Sequence, residues 1–334
     1  MPARPIGLSS MTVGDIRLTL LPDGYHRCDP VKSFVSSTAA DWDAHDYLLD
    51  EQGRAVMTMG ALLAELPDGS RVLIDVGFGP RTVILAELAM EFWGGRLLAS
   101  LAAVGLTPRD IDVVVYSHLH TDHVGWTTDR TRGTLTFDRA RHVMARAEWE
   151  YWRGDAPPGG PDAHDIAALE PRVELLEGEA TVAPGITLVP TPGHTPGHCS
   201  LLVSSGSERT VVLGDAIHCP LQISHPEWAF AGDVNRAAAV RARDALLREL
   251  DAPHTRVVGP HFPDAVFGRV LGGPVARRVA FDVAPPPPAQ PLAPEAPPGE
   301  VLLPPLPSGV PRRAQATAKR YGDRGGDSSS EANR

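Results

Sequence analysis

The chain has 334 residues, 43% of them hydrophobic, and its 31 Lys and Arg against 41 Asp and Glu leave a formal net charge of −10 at pH 7. That balance argues against nucleic-acid binding through bulk positive charge. No run of about 18 apolar residues exists to span a membrane, and no apolar stretch beside Arg4 or Arg17 is long enough for an export signal, so a cytoplasmic protein is expected.

In chain order, Ile16 to Leu21 reads as a strand, and Ala55 to Leu66, the Asp68-Gly69 turn and Val72 to Asp75 read as a hairpin. Residues 83–104 read as a helical region interrupted at Gly94-Gly95. The segment Asp112-Val-Val-Val-Tyr116 is short and β-branched, the mark of a buried strand of parallel type. It leads into Ser117-His-Leu-His-Thr-Asp-His-Val-Gly-Trp126, where His118, His120, Asp122 and His123 crowd into six residues. If the extended form persists past Ser117, His118 and His120 point the same way, and the turn that follows re-aims Asp122 and His123 to a second position. Imidazole and carboxylate donors without a nearby cysteine suit zinc or a similar divalent ion.

Further on, His142 to Ala145 reads as a strand and Ala147 to Trp152 as a short helix. Ile186 to Val189, Ser200 to Val203 and Val211 to Leu213 read as strands. Arg236 to Leu250 reads as a helix with Val240, Leu247 and Leu250 facing inward, ahead of a strand that delivers His261. His194, Asp215 and His261 each follow a strand, and ligand-type residues at several strand ends match the logic of an α/β active site. Cys28, Cys199 and Cys219 form no Cys-x-x-Cys and read as reduced, buried thiols. Beyond residue 282 the text turns to Pro, Ala, Gly and Ser, so a hydrolase-sized domain over 1–282 and a disordered tail over 283–334 are expected.

The His-x-His-x-Asp-His motif, with His194, Asp215 and His261 following in order, resembles the metallo-β-lactamase superfamily over about residues 10 to 275. The resemblance implies an α/β protein of αββα type, two sheets packed face to face with helices outside. It also implies two divalent metal ions, zinc being expected. His118, His120 and His194 would hold one ion, Asp122, His123 and His261 the other, and Asp215 would bridge them. Asp75 matches the early Asp-x-Gly of the superfamily, and His198 is similar to a supporting histidine, not a ligand.

A hydroxide shared by two such ions is a nucleophile at neutral pH, because zinc lowers the pKa of bound water to roughly 7. Within the superfamily the chain looks most like the acyl-homoserine lactonases and the methyl-parathion hydrolases, through Gly125-Trp126 and the segment Ala147-Glu-Trp-Glu-Tyr-Trp152. Where typical lactonases carry a tyrosine three residues after the bridging aspartate, this chain has His218, for which an oxyanion-binding and a purely structural role are both open. Asp122 and His218 are thus the catalytic candidates. Phe92, Trp93, Trp126, Trp149, Trp152, Trp228 and Phe230 flank the motif loops and favour a small hydrophobic ester or lactone as substrate. An organophosphate triesterase and a glyoxalase-type thioesterase are the alternatives, and a homodimer is compatible with the sequence.

Overall fold

Valine-rich segments that are buried on both faces need a layer on each side, and Val113–Val115 shows how this chain provides them. Val113 and Val115 point into one apolar cluster and Val114 into another. The computed structural model describes residues 2–86, 89–153, 158–272 and 277–282. The expected tail, 283–334, lies outside the described residues.

Among the described residues the first sheet runs, edge to edge, through Val173–Leu176, Arg141–Ala145, Val113–Val115, Arg71–Ile74, Ala55–Glu65, Ile16–Cys28, Met90–Trp93 and Thr82–Leu85, with Ser9–Val13 also paired to Ile16–Cys28. The second runs through Ala180–Ala183, Ile186–Pro190, Cys199–Ser205, Glu208–Val212, Thr255–Val258, Phe267–Leu271 and Arg278–Phe281. Leu18, Leu62, Val72 and Val115 of the first sheet share one core with Leu188, Leu201, Val211 and Val257 of the second. The outer face of the first sheet, with Leu63, Leu73 and Val114, is covered by Leu97 and Leu101 of helix Leu97–Ala103 and by Trp149 and Trp152 of helix Arg146–Arg153. Helix Arg236–Leu250 packs against Thr255–Val258 of the second sheet. The expected αββα sandwich is the observed architecture.

Direction matters more for function than layering does. Arg71–Ile74, Val113–Val115 and Arg141–Ala145 are parallel neighbours, so Asp75, His118 and the helix that carries Glu148 all emerge at one edge. In the second sheet Glu208–Val212 runs parallel to Thr255–Val258, which brings Asp215 and His261 out together. Open α/β sheets place their sites at such carboxyl edges.

Three sequence readings need correction. Residues 83–104 are not one helical region. Thr82–Leu85 and Met90–Trp93 pair as an antiparallel ribbon on the edge of the first sheet, and the helix begins only at Leu97. The Leu, Ala and Glu content suggested a helix, but Trp93 and Phe92 register against Tyr25 and His26 of the long strand, and that pairing decides the outcome. In helix Arg236–Leu250 the buried face is Ala239, Arg243, Leu246, Leu247 and Leu250, while Val240 is only half-buried. The strand expected to stop at Leu21 continues to Cys28, because a register shift between Pro22 and Gly24 absorbs the proline.

Gly125 follows the motif at the point where two backbones touch. A Cβ there would lie 1.9 Å from the carbonyl carbon and oxygen of Phe78, so no side chain fits. Gly125→Ala should therefore lower stability by about 1–3 kcal/mol, measurable as a drop in denaturant midpoint; unchanged stability would show that the approach is looser. Asp282 binds Arg256 and donates its N–H to Phe267 O at 3.1 Å. A chain ending after Asp282 should keep the midpoint of the full chain, whereas one ending before Arg277 loses strand Arg278–Phe281 and should be less stable.

Candidate metal centre

The seven residues expected as ligands converge at the shared carboxyl edge. His118 and His120 leave Val113–Val115 in extended form, and a single helical turn, Thr121–Val124, then turns Asp122 and His123 toward a different point. His194 comes from the loop after Ile186–Pro190, Asp215 from the turn after Glu208–Val212, and His261 from the loop after Thr255–Val258.

Two groups of donors form. In the first, His118 Nε2 lies 3.0 Å from His120 Nδ1, His120 Nδ1 lies 2.8 Å from His194 Nε2, and His194 Nε2 lies 3.2 Å from Asp215 Oδ2. In the second, His261 Nε2 lies 3.3 Å from His123 Nε2, and Asp122 Oδ2 lies 3.8 Å from His123 Nε2 and 4.0 Å from His261 Nε2. The other oxygen of Asp215, Oδ1, reaches this second group, 3.1 Å from His123 Nε2 and 2.9 Å from His261 Nε2. One carboxylate thus touches both groups with different oxygens.

These donors suit cations. Imidazole nitrogens about 3 Å apart share either a proton or a cation, and tetrahedral ligands about 2.0–2.1 Å from zinc are themselves roughly 3.4 Å apart. The far nitrogens are fixed in the way metal-ligating histidines require. His123 Nδ1 donates to Asp75 Oδ2 at 2.8 Å, His194 Nδ1 to Asp233 Oδ1 at 2.9 Å, and His261 Nδ1 to Thr58 O at 2.7 Å. Ser117 Oγ donates to Asp75 Oδ2 at 2.8 Å and so is free to accept from His118 Nδ1 at 3.1 Å. In the neutral ring each of these bonds leaves the other nitrogen presenting a lone pair.

The electrostatics follow from burial among mixed charges. Burial and then the neighbouring His123 hold His118 well below the usual imidazole range, and burial with His194 brings His120 down to about 3. Burial also disfavours the charged form of His194, but Asp215 and Asp233 outweigh it and raise its pKa to about 9. His123 is likewise raised well above its ordinary value, with Asp215, Asp75 and Asp122 together overcoming burial. For Asp215 burial raises the carboxyl pKa, yet His261, His123 and His118 hold it well below the carboxylate range.

His198 is close by but differently used. Its Nε2 accepts the N–H of Asp215 at 2.9 Å, so Nδ1 carries the proton and donates to Thr191 Oγ1 at 2.9 Å. The bond fixes the turn at Gly214, whose φ is +55°, a conformation that glycine tolerates best. His218 stacks on Phe230 at 3.9 Å between centroids. Its Nε2 lies 3.2 Å from Asp215 Oδ2 but poorly aligned, so neither ring nitrogen has a hydrogen-bond partner among the described residues. Burial lowers its pKa to about 4.

Of the flanking aromatics, Trp152 meets His120 edge-on at 5.4 Å and Phe230 covers His218, while Trp149 is core. Phe92 stacks on His26, Trp93 on Tyr25, and Trp228 on His225.

Several supporting residues escape sequence reasoning. Glu148 is fully buried, and its carboxylate accepts from Leu119 N, Trp152 Nε1, Thr195 Oγ1 and Gly197 N. It ties the loop of His118 and His120 to the loop of His194. Asp23 accepts from the backbone of Phe78, Gly79, Gly95 and Leu97 and from Trp126 Nε1. Arg243 donates to the carbonyls of Ala216, Pro226 and Trp228, and Gln222 Oε1 accepts from His218 N at 2.7 Å. The segment around Glu148 carried a family-type signal; Asp23, Asp233, Gln222 and Arg243 carried none, because their partners are backbone groups and, for Asp23 and Asp233, an indole and a histidine distant in the chain.

Comparison with known proteins agrees with this geometry. Residues 61–261 match the model of the metallo-beta-lactamase superfamily. An N-acyl homoserine lactonase of a Bacillus species is 32% identical over 242 residues, 70% of this chain and 89% of that protein. The N-acyl homoserine lactonase AttM of Rhizobium radiobacter is 30% identical over 224 residues, 59% of this chain and 79% of that protein. Among solved structures, AidC, a dizinc quorum-quenching lactonase, superposes with a TM-score of 0.73 at 24% identity, covering 83% of this chain and 98% of its own, which is a likeness of fold. With a family match over more than half of its length, and a donor set arranged as described, the chain belongs to the metallo-β-lactamase superfamily.

Proposed function

We propose that the protein is a dinuclear, zinc-dependent hydrolase that opens lactones, N-acyl homoserine lactones among them. The observation that carries this reading is the division of Asp215, with Oδ2 in the set of His118, His120 and His194 and Oδ1 in the set of Asp122, His123 and His261. The lactonase relatives support the substrate class. Bound in these two sets, the ions would activate water at neutral pH and polarise the ester carbonyl.

The chain's own residues then have distinct tasks. Asp75, Asp233 and the Thr58 carbonyl hold three imidazoles in the required orientation. Asp122, with 18% of its side chain exposed, is the more open of the two acidic donors. His218 is neutral, because its pKa lies near 4. A neutral imidazole donates one hydrogen bond, so His218 would steady the developing oxyanion without acting as an acid. Trp152 and Phe230 supply apolar walls beside His120 and His218.

Asp215→Asn keeps the shape but removes the negative charge shared by both sets. Bound metal should fall below two per chain, and hydrolysis of an N-acyl homoserine lactone should fall at least about a hundredfold. Full activity with two metals retained would refute the bridge. Metal affinity should also depend on pH with a defined sign. His194, raised to about 9, must lose its proton before Nε2 can bind an ion, so protons compete below that value. Apparent affinity should fall about tenfold or more per pH unit on acidification from about pH 9 to 7; chelator competition that is flat over this window would count against His194 as a ligand.

A further inference from the structure

A buried polar atom without a hydrogen-bond partner needs an explanation. His26 is 5% exposed, and no partner reaches its Nε2 among the described residues. Its ring is held by stacking, 4.0 Å from the centroid of Phe92 at an interplanar angle of 15°, and Phe92 stacks in turn on Phe78. The aromatic body is therefore packed while the polar edge is left unpaired.

Its position follows from strand geometry. His26 and Cys28 lie on the same face of strand Ile16–Cys28, and Met57 is directly opposite His26 in the register. Cys28 and Met57 belong to the apolar cluster that also contains Cys219 and Phe230, and Phe230 carries the stacked ring of His218. His26 thus borders the apolar cluster whose Phe230 carries His218. Its electrostatic surroundings agree: burial lowers its pKa to about 3, and the charged groups with the largest further effect are Asp122, His261 and His218, all at the donor cluster. At working pH the ring is neutral and offers one N–H and one lone pair. Either can pair with an amide, which presents both a C=O and an N–H.

We propose that His26 recognises the amide beside the lactone ring, through the nitrogen that the fold leaves unpaired beside the cluster of Phe230, so that the enzyme favours lactones with an amide side chain over plain alkyl lactones. The inference rests on the lactone reading above. His26 is a specificity residue in this account and performs no chemistry on the ester.

The test uses full-length, zinc-loaded protein, an N-acyl homoserine lactone and an alkyl γ-lactone of matching chain length. The unaltered protein should show the lower KM for the amide-bearing substrate, a comparison that needs no variant to fold. His26→Phe keeps the stack and removes the nitrogen, and should raise KM for the N-acyl homoserine lactone about tenfold while kcat and the KM of the γ-lactone stay within about twofold. His26→Gln, which again offers a donor and an acceptor, should recover most of the lost affinity, and bound metal should be the same in all three proteins. Equal losses on both substrates, no loss at all, or failure of His26→Gln to exceed His26→Phe would overturn the assignment. Hydrolysis of neither lactone by the unaltered protein would overturn the lactone reading and this proposal with it, whereas hydrolysis of both without discrimination would overturn the His26 assignment alone.

Discussion

The carboxylate of Asp215 is the constraint around which the rest of the centre is arranged. It is buried, it is ionised, and its two oxygens face opposite groups of imidazoles. An isolated charge in such a place would be prohibitive, so compensating positive charge or donors must surround it on every side. Both sheets contribute, since His118, His120 and His123 come from the first and His194 and His261 from the second. The turn that presents Asp215 is in turn fixed by Gly214 and by the ring of His198 against its N–H. The sandwich therefore acts as a clamp whose two jaws meet at one side chain.

Around this point the loops are fastened by other buried acids. Glu148 joins the two loops that carry the first donor set, Asp23 gathers the Phe78 loop, the start of helix Leu97–Ala103 and Trp126, and Asp233 orients His194. Burial raises the pKa of Glu148 against the effect of its hydrogen bonds, while in Asp233 burial is outweighed by His194 and the pKa falls. Each acid takes donors from segments that share no secondary structure. Irregular loops cannot satisfy their own N–H groups, and a carboxylate with up to four acceptor positions does so economically.

The ligands were legible because they are rare residue types packed at strand ends; His118 to His123 announces itself by density alone. The strands Val113–Val115 and Arg71–Ile74 were legible because Val113–Val115 and Val72–Ile74 are β-branched or apolar throughout. The ribbon Thr82–Leu85 and Met90–Trp93 was not, since its strand character comes from pairing with Ile16–Cys28, and local composition points to helix. Arg243 sits on the inner face of a helix where periodicity calls for an apolar residue, and only the carbonyls of Ala216, Pro226 and Trp228 explain it. Trp126 was read as a family marker, but its bond to Asp23 could not be, because 103 positions separate them.

The bond from His261 Nδ1 to Thr58 O spans 203 positions of the chain. Thr58 lies in the first sheet and His261 in the loop after Thr255–Val258 of the second, so this closure can form only after most of the sandwich has docked. Contacts of such high sequence separation slow folding, because loop-closure entropy is spent before any contact rewards it. The two donor sets interleave along the chain, but the first is complete once Asp215 has been added, whereas the second waits for His261. The order of residues along the chain thus leaves His261 as the last donor to reach its set.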